Sequence, residues 1–257
     1  MSSYPTPDFG RRASTYDELR PADDNWWEVC EALIRDGDLA GRRVLDVGCG
    51  TGKFVAALSE RAKVWGVDAS PEMLEVARSR APRVRFKQAS AEALPFKDGW
   101  FERATMWLVV HLLDRPRVFA EVHRVVGAGG RLAMASFDPS YFGVFWFRDY
   151  FPSMEEIDRA RFPTRADLER ELPEAGFEAP SFTRLSQTAS VSREQALDRI
   201  RGKHIATFDL ISDDEYEAGV ARAERELPER VDYRQEWLIA VACVQPAGSN
   251  ERATSSA

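Results

Sequence analysis

The chain has 257 residues, enough for one large α/β domain or two small ones with a sizeable apolar core. Hydrophobic residues make up 44% and charged residues 30% of it, which excludes a disordered or collagen-like chain. The formal net charge of −7 disfavours a protein that holds nucleic acid mainly through phosphate contacts, because such binding needs a concentrated Lys/Arg footprint.

Cysteine usage and hydropathy indicate the compartment. Cys30, Cys49 and Cys243 are widely separated and form no CxxC pair, so we expect no disulfide framework and a reducing cytoplasm. The first residues include no apolar segment typical of an export signal. The longest apolar run near the C-terminus, 238–244, is far shorter than the roughly 18 residues that span a bilayer. We therefore expect a cytoplasmic protein without integral membrane association.

The first part of the chain, residues 1–40, is predicted to form a polar arm followed by an amphipathic helix at 24–35. From residue 42 onward, short β-branched runs alternate with helical patterns, which is typical of βα units around a mostly parallel sheet. The first five predicted strands are 43–47, 64–68, 84–88, 103–108 and 131–137.

Two helix boundaries in this region have clear local signals. Ser70 supplies a capping oxygen, and Pro71 presets φ in the first turn of the helix that follows. A second helix begins at Pro116, and the glycines at 127–130 are expected to end it.

The segment after the fifth strand is predicted to complete the same domain. Its expected elements, in order, are a helix at 164–175, a strand at 179–187, charged helices at about 192–201 and 212–227, and a strand at 233–245. We predict a single domain over 1–246, made of the arm and helix (1–40), a cofactor-binding half (41–138) and a substrate-side half (139–245) with a helical insertion at about 192–227. The tail, 247–257, is expected to be disordered.

Aromatic residues crowd one stretch directly after the fifth strand: Phe137, Tyr141, Phe142, Phe145, Trp146, Phe147, Tyr150 and Phe151. One interpretation is a helix that hides these rings against the sheet. Another is a pocket wall for a flat or apolar molecule, with Phe142, Phe145 and Trp146 as candidate substrate contacts. Attachment to a membrane surface is a third interpretation, which the mixed nearby charges oppose.

The strongest motif is VLDVGCGTGK at 44–53, in which a buried strand runs into glycines and then into a helix. Alternate glycines allow a tight turn and let backbone amides approach a ligand closely. The spacing is GxGxG, which differs from the GxGxxG of dinucleotide-binding enzymes and opposes a dehydrogenase. Asp68 ends the next strand, where a carboxylate can accept both hydroxyls of a ribose. These residues predict a nucleotide-type site.

Four segments together carry a family resemblance: VLDVGCGTGK at 44–53, VWGVDASPEMLEVAR at 64–78, KQASAEALPFKDGWF at 87–101 and EVHRVVGAGGRLAMASFD at 121–138. In order and spacing they resemble the class I S-adenosylmethionine-dependent methyltransferases, in particular the type 11 subfamily of small-molecule enzymes. The resemblance implies a doubly wound, Rossmann-like α/β fold whose seven-stranded sheet is mostly parallel with the last strand antiparallel. It also implies S-adenosyl-L-methionine as the cofactor.

The resemblance assigns cofactor contacts to individual positions. They are Asp46, Gly48, Cys49, Gly50 and Gly52 for the methionine part, Asp68 for the ribose, Ala69, Met73, Ser90, Ala91 and Glu92 for the adenine, Trp107 on the fourth strand, and Tyr16 and Arg20 on the arm. Ser90 stands where the family usually has an acid that accepts the adenine amino hydrogen. A hydroxyl can also accept that hydrogen bond.

Methyl transfer from a sulfonium is an in-line displacement that depends mainly on orientation. A general base is needed only if the acceptor must lose a proton. His111 lies just beyond the fourth strand, at the edge where doubly wound sheets bind ligands, and is the candidate catalytic residue; packing under a loop is the alternative. We expect His204 on the solvated surface and a structural role for His123. Without a Cys/His cluster, no metal site is expected.

The sequence favours transfer of a methyl group to O, N or C of a small organic molecule. An RNA-modifying methyltransferase, for example one acting on tRNA, is the first alternative, and the acidic charge balance counts against it. A noncatalytic S-adenosylmethionine-binding protein is the second. The sequence indicates neither the acceptor nor the oligomeric state.

Overall fold

The computed structural model describes residues 7, 9–18 and 20–245; the predicted tail at 247–257 lies outside them. Seven strands are present: β1 (Arg43–Val47), β2 (Lys63–Asp68), β3 (Arg85–Gln88), β4 (Phe101–Trp107), β5 (Val126–Phe137), β6 (Ser181–Ser192) and β7 (Arg230–Cys243). They form one sheet in the order β3-β2-β1-β4-β5-β7-β6. The first five pair in parallel, and β7 lies antiparallel between β5 and β6. The predicted sheet with its antiparallel last strand is confirmed.

Helices cover both faces of this sheet. They are α1 (Asp24–Asp36), α2 (Lys53–Ser59), α3 (Pro71–Arg80), α4 (Arg115–Val125), α5 (Ser153–Arg161), α6 (Arg165–Glu174), α7 (Arg193–Arg201) and α8 (Asp213–Glu226). Apolar residues of α1, α2 and α3 share one core with the sheet, and those of α4 and α6 share a second core on its other face. This double coverage explains why the central strands are almost continuously buried.

Side-chain caps fix several helix starts where the sequence predicts them. The Met73 amide donates to Ser70 Oγ at 3.2 Å at the start of α3. At the start of α6, Thr164 and Asp167 form a reciprocal capping box. These local bonds satisfy amides that the first helical turn leaves without a partner.

The prediction that the glycines at 127–130 end α4 is wrong. The helix ends at Val125, and β5 begins at the next residue, so the glycines belong to the strand. The Gly129 amide donates to the Val244 carbonyl at 3.1 Å, and the Val244 amide donates to Gly130 at 2.9 Å. Pairing with the end of β7 therefore decides the conformation that local glycine content left open.

The aromatic stretch does not form the α-helix of the first interpretation. It forms two 3₁₀ turns, Pro139–Val144 and Trp146–Asp149, followed by α5, which the sequence analysis did not predict. Asp138 accepts from the Ser140 amide at 3.0 Å and so starts the first turn. Side chains three residues apart eclipse one another in a 3₁₀ turn. Adjacent rings of the aromatic stretch therefore point in different directions, so they do not all face the site described below.

The insertion has an apolar core of its own. β6 and β7 pair from Ser181 with Val241 to Ser192 with Arg230, whereas β5 pairs only with residues 237–243 of β7. The outer half of this two-stranded ribbon therefore extends past β5. It leads into α7 and α8, whose apolar residues pack with Trp146, Phe147 and Phe151.

Candidate functional site

The glycine-rich turn after β1 is held from both sides. Gly48, Gly50 and Gly52 have φ of 70°, 51° and 72°, which favour glycine. A Cβ on Gly48 would lie 2.4 Å from Val109, and one on Gly52 would lie 2.9 Å from Ala77 of α3, whereas one on Gly50 would meet nothing within 4 Å. The turn is therefore packed at its two ends and presents bare backbone at its centre.

Two carboxylates flank this turn because β1 and β2 are parallel neighbours. Asp68 accepts the Gly50 amide at 2.8 Å and the Ser70 amide at 2.9 Å, while burial raises its pKa. Asp46, 2% exposed, accepts Thr105 Oγ1 at 2.7 Å. Burial raises the pKa of Asp46 to about 7. Among the described residues no cation pairs with either carboxylate, so a cationic group of a ligand would be favoured beside them.

The residues expected at an adenine lie beyond the carboxyl ends of β2 and β3. Ala69 is exposed and Met73 is buried, and the Gln88 side chain donates to the Ala69 carbonyl at 3.2 Å. Ser90 donates to Glu92 in the free protein. Ala91 packs in the core below them. This arrangement forms a shelf next to Asp68.

A cavity of about 300 Å³ opens from the glycine turn. Ten of the predicted site residues line it. They are the cofactor candidates Tyr16, Arg20, Asp46, Gly48, Cys49, Gly50 and Trp107, the substrate candidates Phe142 and Phe145, and the candidate base His111. The other predicted cofactor contacts, Gly52, Asp68, Ala69, Met73, Ser90, Ala91 and Glu92, lie outside its lining. The sequence-predicted residues therefore divide between this cavity and the neighbouring shelf.

The N-terminal arm crosses the glycine turn. Thr51 Oγ1 donates to Asp17 at 2.8 Å, and Arg80 of α3 pairs with the same carboxylate at 2.7 Å. Lys53 donates to the Arg20 carbonyl, and the Arg20 guanidinium lies 3.9 Å from the centre of the Tyr16 ring. The arm is thus fastened to the turn and to α3, and it covers one side of the cavity.

The same arm also reaches the insertion. Arg12 pairs with Asp209 at 2.6 Å and donates to the Lys203 carbonyl at 2.7 Å. The side chains of Arg12 and Asp209 are only 16% and 31% exposed, so solvent screens this ion pair less than a fully exposed one. The arm and the insertion together cover the cavity.

Aromatic rings form the far wall of the cavity. The His111 ring stacks on Phe162 with 3.9 Å between centroids and 9° between planes, and Phe142 meets Phe162 edge-on at 5.0 Å. Phe142 and Phe145 are three residues apart and share the cavity face. Trp146 differs from the expectation, because it stacks on Phe147 at 3.9 Å within the core of the insertion.

Tryptophans lie between the glycine turn and the aromatic wall of the cavity. Trp107 of β4 stacks on Trp26 of α1 at 5.3 Å and contacts Phe54 at 5.1 Å. Trp237 of β7 approaches it edge-on at 5.9 Å. Trp107 therefore lies at the junction between the glycine turn and the aromatic wall.

His111 is held beside the glycine turn by its neighbours. Val109 packs against Gly48, and the 3₁₀ turn Val110–Leu112 carries His111 from there into the cavity. Burial, and secondarily the nearby Arg161 guanidinium, hold the pKa of His111 well below its usual range. The imidazole is therefore neutral at physiological pH and able to accept a proton.

The expectation that His204 lies on the solvated surface is wrong. His204 lines the cavity and lies 5.3 Å from Phe147. Burial, followed by the charges of Arg20 and Arg199, holds its pKa well below the usual range. His123 has the expected structural setting, packed edge-on against Phe177 at 5.2 Å.

Sequence reasoning missed several polar residues of the cavity: Tyr141, Asp158, Arg161, Arg199, Thr207 and Trp237. Asp158 accepts Thr207 Oγ1 at 2.7 Å and lies 3.6 Å from Arg161. Burial raises the pKa of Asp158 to about 6 and lowers that of Arg161. No local motif marks these residues. The one sequence signal near them is the adjacent pair Arg161 and Phe162, in which an arginine is next to an aromatic residue.

The described residues include neither a cluster of metal ligands nor a membrane-spanning helix. In residues 7, 9–18 and 20–245, no group of three or more His, Cys, Asp or Glu side chains could hold a metal ion. Over the same residues, no helix combines the length and the apolar character that crossing a bilayer requires.

Comparison with known proteins gives the family context of this site. A family model described as "Methyltransferase domain" matches residues 44–130. A demethylmenaquinone methyltransferase of Thermus thermophilus is 34% identical over 163 residues, covering 59% of this chain and 74% of the relative. One from Chlorobaculum parvum is 30% identical over 216 residues, covering 71% and 88% respectively.

Solved structures support the fold. A putative methyltransferase from an antibiotic biosynthesis pathway of Anabaena variabilis has a TM-score of 0.65 at 21% identity, covering 83% of this chain and 96% of its own. The YcgJ protein of Bacillus subtilis has a TM-score of 0.61 at 20% identity, covering 85% and 99%. These likenesses show a shared architecture around the sheet.

Proposed function

The chain belongs to the class I S-adenosylmethionine-dependent methyltransferases of the type 11 and type 25 group, and from this we propose that it methylates a small organic molecule. Its cofactor is S-adenosyl-L-methionine. The relatives named above act, by their names, on demethylmenaquinone, which supports a small acceptor. The acceptor atom, O, N or C, remains open within this proposal.

The residues around the glycine turn fit this cofactor. The bare backbone at Gly50 offers room for the methionine part, and the buried Asp46 carboxylate suits its ammonium group. Each Asp68 oxygen already accepts one backbone amide and keeps a lone pair for a ribose hydroxyl. We assign the adenine to the shelf of Ala69, Met73, Ser90, Ala91 and Glu92. Gly52 contributes by letting the turn pack closely on α3.

The proposed chemistry divides between cofactor and protein. When bound, S-adenosylmethionine supplies a methyl group on a sulfonium, and the C–S electron pair stays on sulfur as the acceptor atom forms its new bond to carbon. The protein orients the acceptor against the aromatic wall, and the arm excludes water. Neutral His111 takes the proton that an O–H or N–H acceptor loses. Burial, assisted by the Arg161 guanidinium, lowers the pKa of His111 and so keeps that imidazole unprotonated before the reaction.

One observation carries the proposal of a small acceptor. The cavity that begins at the glycine turn continues without a break to the ring of Phe162, and the arm and the insertion cover it. Its volume of about 300 Å³ is at the lower end of the range for small-molecule sites. A covered cavity of this size accommodates a small molecule next to a cofactor more readily than a nucleotide within folded RNA.

Labelled methyl transfer tests the proposal. Purified protein would be incubated with a cell extract and S-adenosylmethionine carrying an isotopically labelled methyl group, and small metabolites and RNA would be analysed separately by mass spectrometry. We expect label in a small molecule and none in RNA. Label confined to tRNA would contradict the small-acceptor proposal, and binding of S-adenosylmethionine without transfer to either fraction would favour a noncatalytic role. The His111→Gln variant serves as the matched low-activity control.

A further inference from the structure

Buried polar atoms without a hydrogen-bond partner are concentrated in the cavity. Among the described residues, seven such side-chain atoms exist, and five of them belong to cavity-lining residues: His111 Nδ1, Tyr141 Oη, Arg161 Nη2, His204 Nδ1 and Trp237 Nε1. A buried polar group without a partner costs roughly 1–3 kcal/mol. Concentration of such groups in one cavity indicates a ligand that satisfies them.

The chemistry of these groups is mainly that of hydrogen-bond donors. Arg161 and Trp237 can only donate, and the Tyr141 hydroxyl donates or accepts. Burial also raises the pKa of Tyr141 above its usual range, so its proton stays in place. A ligand that satisfies Arg161, Trp237 and Tyr141 therefore presents oxygen acceptors, whereas the neutral imidazoles of His111 and His204 can meet either a donor or an acceptor.

The charges of the cavity divide in the same way. At the end nearest the glycine turn, Asp17 is paired with Arg80, whereas the buried Asp46 carboxyl has no cationic partner among the described residues. This unpaired carboxyl suits a cationic sulfonium or ammonium.

The part of the lining that α5 and the insertion contribute has the reverse balance. There Arg161 and Arg199 outnumber Asp158, and the two cavity histidines, His111 and His204, are neutral. Arg199 donates to the phenol of Tyr233 at 2.8 Å, a neutral partner. The positive charge of this part of the lining is therefore only partly compensated, and it favours an anion.

Arg161 is the group best placed to bind that anion. Its side chain is 3% exposed. Nη1 lies 3.6 Å from Asp158 and 3.5 Å from Thr207 Oγ1, which leaves Nη2 free of protein partners. The next residue, Phe162, forms the stack with His111. A planar ring lying along this stack would bring an attached carboxylate within reach of the guanidinium.

Building on the proposed function, we propose that the methyl acceptor is a planar, aromatic molecule with a carboxylate, and that Arg161 binds this carboxylate and so determines specificity. A carboxylate and a guanidinium form short, charge-assisted hydrogen bonds. Binding the acid at Arg161 holds the ring against Phe162. The methylated atom is then directed towards His111 and the glycine turn.

Paired ligands test this proposal on the protein loaded with S-adenosylhomocysteine. Calorimetry would compare 4-hydroxybenzoate with 4-hydroxybenzamide, and 1-hydroxy-2-naphthoate with its amide. Within each pair the ring is the same, and a neutral carboxamide replaces the charged carboxylate. We expect each acid to bind at least tenfold more tightly than its amide. Equal affinities, or no binding of either pair while S-adenosylhomocysteine binds, would overturn the proposal and leave the methyltransferase assignment intact.

Variants at one helix locate the effect. Arg161→Gln is expected to lose the tenfold preference for the acid while binding S-adenosylhomocysteine within twofold of wild type. Arg159→Gln is the matched control, because Arg159 lies on the same helix, pairs with Glu155 at the surface and does not line the cavity. An unchanged acid preference in Arg161→Gln would overturn the assignment of Arg161.

A second variant is expected to bind the acids more tightly rather than less tightly. It keeps the test decisive if Arg161→Gln fails to fold. Asp158→Asn removes the negative charge beside Arg161 and keeps an oxygen that can accept from Thr207. It should bind the acids at least threefold more tightly and leave the amides unchanged. Weaker binding of the acids would contradict the proposal. Phenyl phosphate is the final comparison: tighter binding than 4-hydroxybenzoate would assign the anion to a phosphate ester and overturn the carboxylate.

Discussion

The two ends of the cavity differ in how their polar groups are satisfied. The cofactor end is the glycine turn with the neighbouring shelf. There Asp68 already accepts from the Gly50 and Ser70 amides, and Asp46 accepts from Thr105. The acceptor end is the part lined by the aromatic wall, where Tyr141 and Arg161 each keep a buried polar atom without a partner among the described residues. The proposed cofactor end is thus preorganised by the protein itself, whereas the proposed acceptor end leaves polar atoms for a ligand to satisfy.

The two ends also differ in what positions them. The cofactor end is built on parallel strands whose register places Asp46 opposite Thr105 and next to β2. The acceptor end is built on 3₁₀ turns, on α5 and on an insertion with a separate core. Variation in the second set leaves the sheet untouched. This arrangement allows relatives to share a cofactor site while their acceptors differ.

The largest effect, on kcat, is expected from substitution of His111, which lies where the two ends of the cavity meet. If its neutral imidazole accepts the acceptor's proton, His111→Gln should lower kcat by about 10²- to 10⁴-fold. Because burial holds the pKa of His111 well below 6.5, wild-type activity should stay constant from pH 7 down through 6.5 and fall only at lower pH. The pH–rate profile of the variant should lack this fall.

His123→Gln is the control for that experiment, since His123 packs on Phe177 away from the cavity. Profiles of the same shape for wild type and His111→Gln would contradict the role as a base. They would leave His111 as a packing partner of Phe162.

The next largest effect tests preorganisation at the cofactor end. Asp68→Ala removes the ribose contacts and also leaves the Gly50 and Ser70 amides without their acceptor. Bonds to a charged group are worth about 1.5–3 kcal/mol each, so losing two of them should raise the dissociation constant of S-adenosylhomocysteine at least 100-fold. Calorimetry measures it directly, with the exposed Glu75→Ala on α3 as control. An unchanged constant would remove the ribose role.

A pH effect of intermediate size is expected from Asp46. Its pKa of about 7 means that the free protein protonates this carboxyl as pH falls below 7, and a bound ammonium favours the charged form. Affinity for S-adenosylhomocysteine should be constant above pH 8 and weaken by up to about tenfold per pH unit below 7. Asp46→Asn should abolish this dependence. Parallel pH curves for the two proteins would exclude Asp46 as the titrating group.

The same pKa shift has a consequence for folding. The folded-state pKa of Asp46 lies above the value near 4 of an unfolded chain, so the stability that its neutral form contributes is present at low pH and is lost as pH rises through about 7. Asp46→Asn should therefore gain stability relative to wild type between about pH 4 and pH 7. Urea unfolding at several pH values measures this difference.

The smallest effect concerns the cover that joins both ends. Arg12→Ala removes the ion pair with Asp209 and the bond to the Lys203 carbonyl. Pairs of this kind contribute up to about 1 kcal/mol, so KM for the cofactor should rise about two- to fivefold with little change in kcat. Arg201→Ala, which breaks a surface pair with Glu224, is the control. A larger loss of kcat than of affinity would show that the arm does more than cover the cavity.

Much of the cofactor end could be predicted from sequence because its determinants are local. The GxGxG turn needs positive φ at Gly48, Gly50 and Gly52, and only adjacent residues decide that requirement. Asp68 follows from the end of the next strand. Trp146 shows the limit of this reasoning, since it directly follows the cavity-lining Phe145 and yet is buried in the core of the insertion.

The sequence by itself determined the alternation of strands and helices, since hydrophobic periodicity is a property of neighbouring residues, and its four motif segments carry the resemblance that implies the family and the cofactor. Only the tertiary structure decided that His204, Arg161 and Trp237 share one cavity and that the glycines at 127–130 belong to β5. Those outcomes depend on contacts between segments far apart in the chain, such as the arm with the insertion and β5 with β7. Packing and long-range pairing, which no local pattern encodes, therefore determine the acceptor end.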